Sequence, residues 1–170
     1  MTCDFEIATP VGIAVCSMNY AGAVVRFSIR DADPGETLLD VPTDNVAARR
    51  LVDELDAYFR GALTRFTVPL SPKGTTFQRE VWDALQEIPY GSTTTYGALA
   101  RLLGNSGAMR AVGAANGANP IWLLIPCHRV VGSQGLHGYA SGLDRKAWLL
   151  RHEGVPVPEC SQQRLNLEGD

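Results

Sequence analysis

The 170-residue sequence holds no run of about 18 apolar residues, so no segment is expected to cross a membrane as a helix. Its opening, MTCDFEIATP, places acidic residues where a secretory signal needs a basic stretch and an apolar core. This predicts an intracellular protein of the reducing cytoplasm. Cysteine is sparse and unpatterned: Cys3, Cys16, Cys127 and Cys160 are far apart with no C-x-x-C pair, which argues against a disulfide framework. The histidines, His128, His137 and His152, have no cysteine partner at zinc-site spacing, and Cys127 and His128 are too close in sequence to serve comfortably together in a tetrahedral site. No metal is expected. A strong charge of either sign is also lacking, since the net charge of −3 excludes a crude polyanion binder.

Hydrophobic content of 45% and charged content of 19% are those of an ordinary soluble globular protein, and the length suits one large domain or two small ones. The charge is unevenly spread. Residues 1–70 carry 6 basic against 10 acidic side chains, residues 71–153 carry 8 against 5, and residues 154–170 carry 1 against 3. Positive charge therefore gathers in the part that contains Cys127. That permits nucleic-acid binding there without requiring it, because many solvated helix faces are equally basic.

Phe5–Ala8, Gly12–Cys16 and Ala23–Ile29 are β-rich stretches separated by turn residues, which predicts a small antiparallel meander. After a polar loop, Asp44 is placed to cap a helix reaching about Arg60, with Val46, Leu51, Leu55, Tyr58 and Phe59 near helical spacing. A Pro- and Gly-containing connector follows. The boundaries read as an N-terminal α/β domain with its connector over 1–73, a mainly helical domain over 74–155, and a tail over 156–170. The fold class is α+β. In the second part, Thr76 is placed to cap a helix whose Phe77, Val81, Leu85 and Ile88 share a face, stopped by Pro89-Tyr90-Gly91. Tyr96–Leu103 and Ala108–Ala118 form two short helices around the turn Gly104–Gly107. That is the pattern of a helix-turn-helix, and equally of a plain helical hairpin.

Pro126-Cys127-His128-Arg129 interrupts two apolar runs, Ile121–Ile125 and Val130-Val131. A thiol beside an imidazole suits nucleophilic chemistry, because a histidine base can generate the reactive thiolate. A buried cysteine can equally be core filling.

Taken together, several strings closely resemble the O6-alkylguanine-DNA alkyltransferases (methylated-DNA–protein-cysteine methyltransferases). They are Phe77-Gln78-Arg79-Glu80-Val81-Trp82, Ile88-Pro89-Tyr90-Gly91, Thr95-Tyr96-Gly97 and Arg110-Ala111-Val112-Gly113-Ala114-Ala115. Next come Asn119-Pro120, Ile125-Pro126-Cys127-His128-Arg129-Val130, and Lys146-x-Trp148-Leu149-Leu150-x-His152-Glu153. The resemblance is dense from about 74 to 153 and thin over 1–70.

The resemblance implies a DNA-repair protein that flips a damaged guanine from the duplex and transfers its O6-alkyl group, once and irreversibly, to Cys127. O4-alkylthymine would be a second substrate. It implies His128 as the base acting through a water, Glu153 as its orienting carboxylate, and Tyr96 as donor to guanine N3. Arg110 would fill the gap in the stack from a helix laid in the minor groove, a residue that would otherwise read as a surface arginine. Asn119 would brace the turn before an active-site strand, Tyr139 would wall the base pocket, and the backbone of Cys127, Val130 and Ala140 would read the guanine edge. Lys146 would support that loop. No cofactor is implied, and the partner is double-stranded DNA carrying O6-alkylguanine, bound by a monomer with cooperative assembly on DNA left open. Trp122 and Ser141 are bulkier than many relatives carry at these places, which predicts a narrowed alkyl pocket. The rival readings are a cysteine hydrolase, which would turn over, and a non-catalytic damage-binding relative, which would lack the nucleophile.

Overall fold

The computed structural model describes residues 1–136 and 142–157. Tyr139, Ala140 and Ser141, together with His137 and the 158–170 tail, lie outside the described residues. The chain begins with a meander of β1 (Thr2–Thr9), β2 (Gly12–Asn19) and β3 (Val24–Arg30), paired antiparallel in the order β1-β2-β3. Its alternation is clear in β2, where Ala14, Cys16 and Met18 are buried on one face.

Helix α1 (Val46–Phe59) packs its Ala48, Leu51, Leu55 and Tyr58 face inward. Its cap is Asn45, one residue later than expected for Asp44, because the Asn45 side chain accepts from the Ala48 N–H at 3.0 Å. Val46 consequently falls outside the core stripe and is 70% exposed.

Helix α2 (Thr76–Gln86) follows the connector and is capped by Thr75 rather than Thr76. Thr75 accepts from the Gln78 N–H while the Gln78 side chain accepts from the Thr75 N–H, a reciprocal pair that satisfies two end donors. Val81, Trp82 and Leu85 are buried, and the Trp82 indole donates to the Ala115 carbonyl at 2.8 Å. That bond ties α2 to α4 (Met109–Gly117), which is joined by a short 3-10 turn (Ser106–Ala108) to α3 (Tyr96–Leu102). Both helices of the expected pair are thus present, a residue or so shorter than read. The last helix is α5 (Leu143–His152), with Glu153 as its C-cap.

Between α4 and α5 lies the stretch expected as an active-site strand, and here the structure departs from that reading. Leu124 N–H donates to Trp122 O at 2.7 Å and Ile125 N–H to Ile121 O at 3.0 Å, so the apolar run coils into turns. Leu123 takes a φ of 68°, the left-handed region that a leucine enters only at a cost. Cys127–Arg129 is a 3-10 turn, and only the two-residue β5 (Val130–Val131) is extended. The physical reason is Asn119: its amide oxygen accepts from Ile121 N–H at 3.0 Å and its amide N–H donates to Ile125 O at 2.9 Å, closing the loop on itself.

β5 pairs in parallel with β4 (Thr94–Thr95), which runs directly into α3. The loop also docks on the edge of β3, where Phe27 N–H donates to Pro120 O and Trp122 N–H to Phe27 O. A single core runs through these contacts, uniting Phe5, Phe27, Leu51 and Leu55 with Val81, Leu99, Ile121 and Leu149.

Candidate active site

Cys127 is 2% exposed and lies on the wall of a cavity of about 820 Å³. The cavity is also lined by α3 and α4, through Tyr96, Gly97, Arg101, Met109, Arg110, Gly113 and Asn116, and by Trp122 and Ser133. Tyr96 reaches this wall because β4–β5 pairing sets Thr95 beside Val131, and Thr95 then caps α3 by accepting from Ala98 N–H at 3.1 Å. Gly113 faces the Tyr96 ring, where a methyl would meet ring carbons at 3.8–4.0 Å, an ordinary contact. Burial raises the Tyr96 phenol, Cys127 in its thiolate form adds to this, and the Asn116 amide opposes it. The phenol therefore keeps its proton.

Next to Cys127 is a buried polar cluster of His128, Arg129 and Glu153. His128 has no exposed surface, and its Nε2 is 2.8 Å from Glu153 Oε1. A carboxylate only accepts, so Nε2 carries the hydrogen and Nδ1 keeps its lone pair. Nδ1 has no hydrogen-bond partner among the described residues. Burial lowers the His128 pKa against the opposing pull of Glu153, so the imidazole is neutral at neutral pH. Glu153 also accepts from Arg129 Nε at 2.8 Å, Arg129 Nη2 at 2.9 Å and the Tyr58 hydroxyl at 2.8 Å. Burial alone would raise the Glu153 pKa, but the bonds from His128 and Arg129 outweigh it and hold the carboxylate down at about 2.

Lys146 is fully buried on α5 and donates to Val130 O at 2.6 Å and Leu136 O at 2.7 Å. It holds β5 to the residues that lead into the loop expected to carry Tyr139 and Ala140. Burial pushes its ammonium down to about 8, against the pull of Cys127. Arg110 is exposed in the first turn of α4, on the rim of the cavity.

The structure thus places Cys127 and Tyr96 on one cavity and pairs His128 with Glu153 in a buried cluster that does not line it, with Asn119 and Lys146 bracing the loop that presents the thiol. Three participants were absent from the sequence reading of the site. Arg129 stood in the Pro-Cys-His-Arg string, and a guanidinium inside an apolar run was the signal that it needs a buried carboxylate. Asn116 is 4% exposed and donates to Cys127 O at 3.5 Å. Tyr58 gave no local signal beyond its place on the apolar face of α1.

Residues 76–155 match the family model described as 6-O-methylguanine DNA methyltransferase, DNA binding domain. The methylated-DNA–protein-cysteine methyltransferase of Methanosarcina acetivorans is 52% identical over 125 residues, covering 71% of this chain and 80% of that one. The protein of the same name from Salmonella typhimurium is 46% identical over 161 residues, covering 88% and 94%. Among solved structures, Mycobacterium tuberculosis OGT in complex with DNA superposes with a TM-score of 0.76 at 40% identity, covering 91% of this chain and 94% of that one. With near full-length relatives at this identity, the chain belongs to the methylated-DNA–protein-cysteine methyltransferase family.

Proposed function

We propose that this protein repairs DNA by moving the alkyl group of O6-alkylguanine, and of O4-alkylthymine, onto its own Cys127 in a single irreversible event. The observation that carries the reading is the thiol on the cavity wall, backed by a neutral histidine whose unprotonated Nδ1 is the available base. His128 takes the Cys127 proton through a water, and the thiolate attacks the alkyl carbon. The C–S bond forms as the C–O6 bond breaks, and the electron pair passes to the purine. Tyr96 donates its phenolic proton to N3, so the base departs neutral rather than as an anion. The thioether that results has no hydrolytic exit, unlike the acyl-thioester of a cysteine hydrolase.

The target carbon is out of reach inside a stacked duplex, so the base is flipped into the cavity at a cost of a few kcal/mol. α3 and α4 act as the helix-turn-helix, with α4 in the minor groove and Arg110 occupying the vacated place in the stack. DNA binding is supported by the DNA complex of the 40%-identical relative. In this division of labour residues 74–155 bind DNA and react, while residues 1–73 brace them.

Incubation with a duplex containing O6-methylguanine, followed by peptide mapping, is expected to find one added methyl, on the Cys127 peptide, and no turnover. Cys127→Ala should keep DNA binding and lose transfer. Methyl on Cys3, Cys16 or Cys160, or several turnovers per protein, would overturn the reading.

A further inference from the structure

We infer that Tyr58, on the N-terminal helix α1, is a positioning residue of the transfer reaction, its hydroxyl setting how strongly Glu153 engages the base His128. The inference rests on the proposed function and adds to it a control point outside the DNA-binding half. Three observations carry it. First, Tyr58 Oη and His128 Nε2 bond the same carboxylate oxygen, Glu153 Oε1, each at 2.8 Å, across a separation of 95 residues for the tyrosine. Secondly, all three side chains are essentially excluded from water, at 1% exposure for Tyr58, 0% for His128 and 4% for Glu153. Thirdly, the tyrosine cannot swing away. Its ring packs against Phe59, Phe66, Tyr90 and His152, with centroids 5.1–6.1 Å apart. Its backbone carbonyl is also bonded by His152 Nε2 at 2.7 Å.

The competition at Oε1 has a direction. A carboxylate oxygen already bonded to Tyr58 has less negative charge to offer the imidazole, which holds down the proton affinity of His128. Other charged or titratable groups act on the same cluster: Arg129 on the reactive turn, Lys146 from α5, Tyr90 from the loop after α2, and Cys127 at the cavity. None of them is altered by removing one phenolic oxygen. Burial and the negative Glu153 raise the Tyr58 phenol, so it stays a donor throughout the working pH range.

Tyr58→Phe keeps the ring stack and deletes the donor. His128 then meets a more basic carboxylate and protonates more readily, so the acid limb of the transfer rate should move up by about half to one pH unit. The single-turnover rate at pH 7 should fall by at most about threefold, with the larger loss on the acid side of the limb. The nitrogen resonances of His128, among only three histidines, should titrate at correspondingly higher pH. Fluorotyrosine placed at position 58 has a more acidic phenol and the same shape, and should move the limb the opposite way. In a Glu153→Gln background neither change should shift the limb, because the shared carboxylate is gone.

A limb and a His128 titration identical to those of the parent in both variants would overturn the inference. So would a loss of rate and stability with the limb unmoved, which is the mark of packing alone. If Tyr58→Phe does not fold, the fluorotyrosine protein decides by itself. Failure of the parent to methylate Cys127 would instead overturn the proposed function.

Discussion

At the scale of the residue, burial and hydrogen bonding pull the two partners of the His128–Glu153 pair in ways that acid will reveal. Both folded-state pKa values lie below their unfolded values, so each group contributes stability that is complete above its unfolded pKa and lost as pH falls. The histidine contribution starts to fade below about pH 6.5. The carboxylate contribution fades from 4.5 towards about 2 and is worth roughly 3 kcal/mol over that window. Urea midpoints measured from pH 7 to pH 3 should therefore decline in two stages, and Glu153→Gln should remove the lower one. Cys127 and His128 drew attention because a thiol and an imidazole are adjacent in sequence, while Glu153, 25 residues from His128, was named only from the resemblance; the structure pairs it with His128. Tyr58 was not legible, because a bond spanning 95 residues leaves no trace in local spacing, whereas Arg129 carried a signal that went unused, a guanidinium inside an apolar run. Trp122 lines the cavity as the pocket reading expected. Its N–H is committed to Phe27 O at 2.8 Å, so the informative replacement is alanine rather than proline. Trp122→Ala should speed reaction with O6-benzylguanine about tenfold, measured by intact mass, and leave methyl transfer almost unchanged.

At the scale of the element, the site is held by short pieces rather than long ones. The two-residue pair β4–β5 brings Tyr96 to the cavity, and one threonine starts the helix that bears it. Thr95→Ala should cost about 1 kcal/mol in chemical denaturation. Its rate loss should be larger on duplex substrate than on stability grounds alone, because Tyr96 is the next residue. The long elements were legible from periodicity, as in α1, α2 and the meander. Their starts were misread by one residue at Asn45 and Thr75, because Asp44-Asn45 and Thr75-Thr76 each offer two competent caps in a row. An active-site strand after Asn119 was expected only from the resemblance, since the apolar run 121–125 carries no period of its own. What bends it is the Asn119 side chain, whose partners are two and six residues away.

At the scale of the whole molecule, the basic balance of residues 71–153 is modest, so DNA affinity should weaken with salt on a shallow slope. Arg110→Ala should slow repair of duplex far more than reaction with the free modified base, as timed single-turnover assays on both substrates would register. Equal losses would assign Arg110 to the chemistry or the fold.

The docking of the Pro120–Trp122 segment on β3 has a consequence for how the protein is born. Phe27 bridges Ile121, and Tyr58 reaches Glu153, only after chain segments some ninety residues apart have met. Contacts of such sequence separation carry a loop-closure cost and form late. An emerging or refolding chain thus carries Cys127 and His128 side by side well before Tyr58 has reached Glu153. In a refolding time course, helical signal should return first and the capacity to accept a methyl group last.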